Sequence, residues 1–222
     1  ESVGRQLDGI TVSRSAYDRI VSSGDVSRSL IEAWAGKPIL HIGPERDLPV
    51  FEGLRAKPGA TADDAAVAVC TGLYDDETET PADYADMLAK LRVRGIPMIC
   101  ANPDEKVERD SRIVYCAGAV ARAYEALGGE VSYAGKPFRP VYDLALQIGC
   151  TLRGGAIPKE RVLAIGDGVA TDIAGAGNFG IRSVFIASGV YVTNGEAIGD
   201  AAARLFAPTM PQPAAVMDAF VW

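Results

Sequence analysis

Residues 161–189 read RVLAIGDGVATDIAGAGNFGIRSVFIASG, and the order of residue types in this stretch decides the fold. Val162 to Ile165 form a short apolar run of the kind that fills a buried parallel strand, and it stops at Gly166-Asp167-Gly168. A carboxylate therefore lands just past a strand end. Asp172 follows where the next helix begins, near Thr171 to Phe179, and Gly180 suits that helix's carboxyl-terminal cap before Ile181 to Ala187 resume as a strand. Ala174, Gly175, Ala176 and Gly177 lower helix propensity but let the backbone lie close on a sheet. Strand, acidic loop, helix and strand make a parallel unit, and in open α/β sheets ligands bind beyond the carboxyl ends of the strands.

Working outward, the same alternation continues. Ser2 to Leu7 suit a helix, Asp18 to Ser23 a short strand, and Asp25 can cap a helix carrying Val26, Leu30, Ile31 and Trp34 at the 3.6-residue period until Gly36 and Pro38 stop it. Strands are expected at Pro38 to Gly43, Ala65 to Thr71, Pro97 to Ala101 and Glu130 to Ala134. Between and after them, helices are expected at Leu48 to Leu54, Ala82 to Arg94, Gly118 to Leu127 and Pro140 to Ile148, the last with Tyr142, Leu144, Ala145 and Ile148 on its packing face. The charged segment EKVERDSR, 105–112, reads as flexible, and the tail 208–222 as holding a short final helix. The fold class is α/β: a Rossmann-like three-layer α/β/α arrangement around a mostly parallel sheet.

Composition excludes several roles. Asp and Glu number 29 against 22 Lys and Arg, and no basic run is interleaved with aromatics, which disfavours nucleic acid and anionic membranes as partners. No apolar run is long enough to cross a bilayer, and the opening ESVGRQLDG lacks a signal peptide's apolar core. Cys70, Cys100, Cys116 and Cys150 are widely spaced and share the chain with a single histidine, so reduced thiols in a cytoplasmic protein are expected and a zinc site is not. Cys100 and Cys116 read as packed thiols, His41 as a satisfied core or edge residue within PILHIG, and the DDETE run as a solvated loop.

Three polar constellations fall at strand ends or loops: Asn102-Pro103-Asp104, Gly135-Lys136-Pro137, and Asp167 with Asp172. A carboxylate after a strand can hold magnesium, which takes oxygen ligands and leaves places for water and phosphate. A lysine in a loop of glycine and proline can present a fixed positive charge to a phosphoryl group. In this order, ANPD, then GKP, then a helix and an apolar strand ending in GDGVATDI, the chain resembles the haloacid dehalogenase superfamily of phosphohydrolases over nearly its whole length. The strand ending in ANPD narrows the resemblance to the class II subfamily with a large α/β cap, which includes p-nitrophenyl, sugar-phosphate and nucleotide phosphatases.

The resemblance implies a magnesium-dependent phosphohydrolase of small phosphorylated metabolites working through a phosphoaspartate. Lys136 matches the lysine that steadies the nucleophile and the phosphoryl group, Asp167 the magnesium-binding acid, and Asp172 the second acid of that motif, supporting the metal directly or through water. Asn102, Asp104, Gly135 and Gly168 are expected on the substrate side. A core of residues 1–36 and 130–222 would carry an inserted cap of 37–129, and a homodimer through the cap stays open. The family's DxDG nucleophile motif is absent from these residues; Asp8-Gly9 follows a helical segment and is rejected as its equivalent. The 222 residues are therefore expected to be a fragment, inactive by themselves. One rival is a non-catalytic binding or regulatory protein with the same fold. The other, a Rossmann nucleotide enzyme, is disfavoured because no G-x-G-x-x-G follows a strand.

Overall fold

The computed structural model describes residues 2–109, 112–187 and 196–219. Four parallel strands, β1 (Ile39–Ile42), β2 (Val67–Cys70), β3 (Met98–Cys100) and β6 (Val131–Tyr133), form one sheet in the order β1-β2-β3-β6. Between β3 and β6, strands β4 (Lys106–Arg109) and β5 (Arg112–Tyr115) form an antiparallel hairpin. A second parallel sheet has the order β7-β8-β9, from β7 (Leu163–Gly166), β8 (Arg182–Ile186) and β9 (Ala215–Met217).

Alternation along the first three strands gives the larger sheet two apolar faces. Leu40, Ile42, Ala68, Cys70, Met98 and Cys100 point to the side covered by α3 (Ala85–Val93) and α4 (Ala117–Ala126). Ile39, Val67, Val69 and Ile99 pack on the other side against Phe51 of the 3₁₀ turn Glu45–Phe51 and Ile31 of α2 (Ser23–Glu32), the helix that follows α1 (Ser2–Gly9) in the chain. Side chains such as Ile39, Val67 and Met98 are fully buried, each contributing roughly 1.5–3 kcal/mol by leaving water.

The smaller sheet has its own cluster. Phe185 of β8 and Phe206 meet edge to face with ring centroids 5.1 Å apart, joined by Val169, Ile173 and Ala187. Helix α7 (Ile198–Leu205), which the sequence pattern did not reveal, lends Ala202 and Leu205 to this cluster. Among the described residues β7 is an edge strand, and its Leu163 and Ile165 are 49% and 44% exposed. Helix α5 (Arg139–Arg153) runs fifteen residues with no buried side chain and ends at Gly154, whose φ of 67° suits only a residue without Cβ strain.

Several sequence expectations need correction. Asp18 to Ser22 is irregular rather than a strand; Ser22 instead caps α2, accepting the Asp25 N–H while the Asp25 carboxylate accepts the Ser22 N–H, a reciprocal capping box. The segment read as flexible is the β4–β5 hairpin, with residues 110–111 outside the described set. The tail forms strand β9, parallel to β8, rather than a helix; residues 220–222 lie outside the described set, as do residues 188–189 of the opening stretch. Strand β6, which falls in the expected unit of residues 130–222, pairs in parallel with β3.

Candidate active site

The carboxyl ends of the strands gather the predicted residues. Strand β7 ends at Gly166, and Asp167 follows with an exposed side chain. The chain then takes one wide turn, Val169–Ile173, in which the N–H groups of Asp172 and Ile173 both donate to the Gly168 carbonyl at 2.8 and 3.1 Å. Helix α6 (Ala174–Phe179) continues from it, beginning three residues later than the sequence pattern suggested. The wide turn folds the Asp172 carboxylate back over the strand end, where its Oδ2 accepts the Gly168 N–H at 3.0 Å. A Cβ at Gly166 would overlap the Asp172 carboxyl group, so that return path exists only because residue 166 lacks one.

Lys136 arrives from the other sheet. It lies three residues beyond the end of β6, and its Nζ donates to Asp172 Oδ1 at 2.6 Å, a pair in which the lysine side chain is 51% exposed and the aspartate 13%. Both oxygens of Asp172 are thus engaged. The Lys136-Pro137 peptide is cis, and the Phe138 N–H closes the loop on the Gly135 carbonyl at 2.9 Å.

Two glycines the sequence singled out sit at close approaches, though not against a sheet. Gly175 faces Pro137 and Tyr142: a Cβ there would overlap the Tyr142 hydroxyl and lie 2.9 Å from Pro137 Cα. Gly177 faces Pro211 in the same way. Tyr142, expected only as a packing residue, reaches the carbonyls of Thr171 and Asp172 at 3.4 Å and stacks on Phe179; burial pushes its hydroxyl pKa up to about 12. Only its place on a helix following GKP could have hinted at this role.

The Asn102–Asp104 loop joins the same region through its backbone. Asn102 Oδ1 accepts the Asp104 N–H at 3.1 Å, the Asp104 carbonyl accepts the Gly118 N–H at 3.0 Å, and Pro103 packs on Gly135 so closely that a Cβ there would sit 2.9 Å from Pro103 Cγ. The Asn102 side chain is therefore turned into its own loop. Beside it, Arg122 lies 5.0 Å from the Tyr133 ring centroid and 5.8 Å from that of Phe138, tying α4 to both flanks of the lysine loop.

The other reactive groups are quiet. Cys70 and Cys100 are fully buried and reduced; burial drives the Cys70 thiol far up and pushes Cys100 up to about 12, so neither is a nucleophile at neutral pH. Among the described residues no group of three or more His, Cys, Asp or Glu converges to hold a metal. What the site does offer a hard cation is one exposed carboxylate, Asp167, at a strand end. That suits magnesium, which takes one or two carboxylates and completes its shell with water and phosphate.

Comparison with known proteins points to one family. Residues 133–218, which hold both the lysine loop and the acidic loop, match the family described as HAD-hyrolase-like. A haloacid dehalogenase-like hydrolase from Brucella suis is 45% identical, with a TM-score of 0.71 over 99% of this chain and 79% of that one. The glycerol phosphate phosphatase of Mycobacterium tuberculosis in complex with magnesium is 22% identical, with a TM-score of 0.64 over 97% of this chain and 60% of that one, a likeness of fold. The haloacid dehalogenase-like hydrolase domain-containing protein 2 of Bos taurus is 27% identical over 78% of this chain, which spans 61% of that relative's length.

Proposed function

We infer the function from family and site together: the chain belongs to the haloacid dehalogenase-like family of hydrolases, and its site is that of a magnesium-dependent phosphatase of small phosphomonoesters. The observation that carries this is the Lys136–Asp172 pair, which brings a loop of one sheet against the acidic strand end of the other across thirty-six residues. Magnesium bound there would act as a Lewis acid on the phosphoryl oxygens. Asp167 is its protein ligand in this reading. Asp172 is the anchor: with one oxygen on Lys136 and the other on the Gly168 N–H, it fixes the ammonium where phosphoryl charge develops and holds the turn around Asp167.

The nucleophile is a carboxylate that attacks phosphorus, releases the alcohol and forms a phosphoaspartate, which water then hydrolyses. None of these 222 residues is assigned to it. Among the described residues the outer edge of β7 is unpaired, with Leu163 and Ile165 uncovered, and a strand bearing that carboxylate would pair there, directly beside Asp167. Gly135, Gly168, Asn102 and Asp104 line the substrate side, the insertion of 37–129 closes over it and excludes water, and the protein works in the cytoplasm, as a homodimer if the insertion mediates one. No helix among the described residues is long and apolar enough to cross a membrane.

The test is phosphate release from p-nitrophenyl phosphate and glycerol phosphate by the intact protein with and without magnesium. Turnover should require the metal and be abolished in Asp167→Asn. Undiminished magnesium-dependent turnover in that variant would sink the assignment of Asp167. Phosphate binding without release would favour a non-catalytic binding protein.

A further inference from the structure

One polar cluster lies outside the assignments above. All four parallel strands of the larger sheet end on the same edge, where β6 delivers Lys136, β3 delivers Asn102, β2 delivers Thr71 and β1 ends just after His41. With strands about 4.8 Å apart, the ends of β2 and β1 lie about 10 and 14 Å along that edge from the end of β6. There His41 Nε2 and Thr71 Oγ1 are 2.9 Å apart, and the Tyr74 hydroxyl donates to the His41 carbonyl at 3.2 Å.

The surroundings hold this cluster in place. Gly43, at φ 148°, leaves the room in which the imidazole and the threonine hydroxyl meet, since a Cβ there would overlap Thr71 Oγ1. Phe51 abuts the imidazole edge to face at 5.5 Å. The loop that carries Tyr74 is the DDETE run expected to be merely solvated, and it is internally tied. Glu79 Oε2 accepts the Asp75 N–H at 2.9 Å and the Tyr84 hydroxyl at 2.6 Å; Tyr84 in turn accepts the Tyr74 N–H at 2.6 Å, and the Tyr74 and Tyr84 rings stack at 5.7 Å.

We propose that His41, Thr71 and Tyr74 form the leaving-group subsite of the phosphatase, taking a neutral, hydroxyl-rich alcohol such as a sugar or polyol rather than a second anionic group. This rests on the phosphomonoester reading above. A neutral imidazole and two hydroxyls can each donate or accept, which matches an alcohol that does both. Burial lowers the His41 pKa and so keeps the ring neutral. The charge nearby is negative: Asp47 lies next to Gly72 and faces the imidazole, while Arg46 is held by Asp76 at 2.6 Å. A carboxylate or second phosphate at this end would be repelled, whereas a phosphorylated polyol spans the edge from Lys136.

The chain has a single histidine, so His41 gives the only imidazole signal in its NMR spectrum. The full chain with magnesium is titrated with sorbitol 6-phosphate, 3-phosphoglycerate and inorganic phosphate. Sorbitol 6-phosphate should move both the Lys136 and His41 signals, inorganic phosphate the Lys136 signal alone, and 3-phosphoglycerate should bind more weakly than the polyol ester. Thr71→Val and the exposed Tyr74→Phe should each weaken sorbitol 6-phosphate about five- to tenfold, the worth of one hydrogen bond, with inorganic phosphate affinity unchanged. A Lys136 response to sorbitol 6-phosphate with His41 silent, or equal losses for both ligands in the variants, overturns the subsite and leaves the phosphatase reading standing. No response of Lys136 to any of the three overturns both.

Discussion

Replacing Gly175 by alanine puts two opposing effects at one position. In a helix interior the exchange is worth about 1 kcal/mol in favour of alanine. Against it stands the new Cβ, which would overlap the Tyr142 hydroxyl and lie 2.9 Å from Pro137 Cα. Neither neighbour yields easily: Tyr142 is stacked on Phe179 with centroids 5.3 Å apart, and Pro137 is backbone beside the lysine loop. Overpacking of this kind costs roughly 1–3 kcal/mol, and a backbone clash belongs at the upper end, leaving a net loss of about 2 kcal/mol. For a chain of this length that lowers the melting temperature by about 4–8 °C. Gly24→Ala, in the first turn of α2, meets only Ser22 Oγ at 3.5 Å and should gain about 0.5–1 kcal/mol, raising it. Thermal unfolding followed by circular dichroism on both variants beside the parent decides the matter. A Gly175→Ala variant melting at or above the parent would refute the claim that α6 is seated directly on the lysine loop. Because Pro137 follows Lys136, the same variant should also slow phosphate release by the intact enzyme.

Other outcomes follow from the same geometry. Lys136→Met should change stability by no more than about 1 kcal/mol, since its pair with Asp172 is half open to solvent, while phosphate release by the intact enzyme falls at least about a hundredfold; comparable modest losses in both would make Lys136 structural. His41 is held below its ordinary value of 6.5 by burial, so the unfolded chain binds the proton more readily; stability present above pH 6.5 should be lost as pH falls through the lowered value, and denaturant titrations of His41→Gln should show a flatter pH dependence there. Cys70 and Cys100 should resist maleimide in the folded protein and react only on unfolding, and rapid labelling of either, read by peptide mass, would contradict their burial.

The sequence was most legible where residue type and position carry chemistry by themselves. The run ending in Gly166-Asp167-Gly168 is a strand followed by an acidic loop, Lys136 does meet Asp172, and the alternating β1 and β2 residues form a two-faced core. It was least legible where a short apolar run must choose a partner. Ile20 and Val21 looked like strand residues, yet Ser22 is drawn into the α2 cap and they join no ladder among the described residues. Ala215 to Met217 could be helix or strand by periodicity; Pro211 and Pro213 keep the approach extended, and β8 supplies the pairing. The β4–β5 hairpin hid behind its charges, one of which, Lys106, lies 4.8 Å over the Tyr115 ring and stabilises the pair. The roles of Tyr142 and of the His41–Thr71 pair depend on contacts across thirty or so positions, which no local pattern encodes.

The uncovered edge of β7 also governs how this polypeptide behaves in a tube. Among the described residues no strand pairs with this edge, and with Leu163 and Ile165 standing out it is a template for pairing with any extended chain, including another copy of itself. The 222-residue polypeptide should therefore scatter light increasingly with concentration and stay associated with chaperones during expression. Lysine in place of Leu163 should make it more soluble, and unchanged light scattering in that variant would refute the edge as the cause.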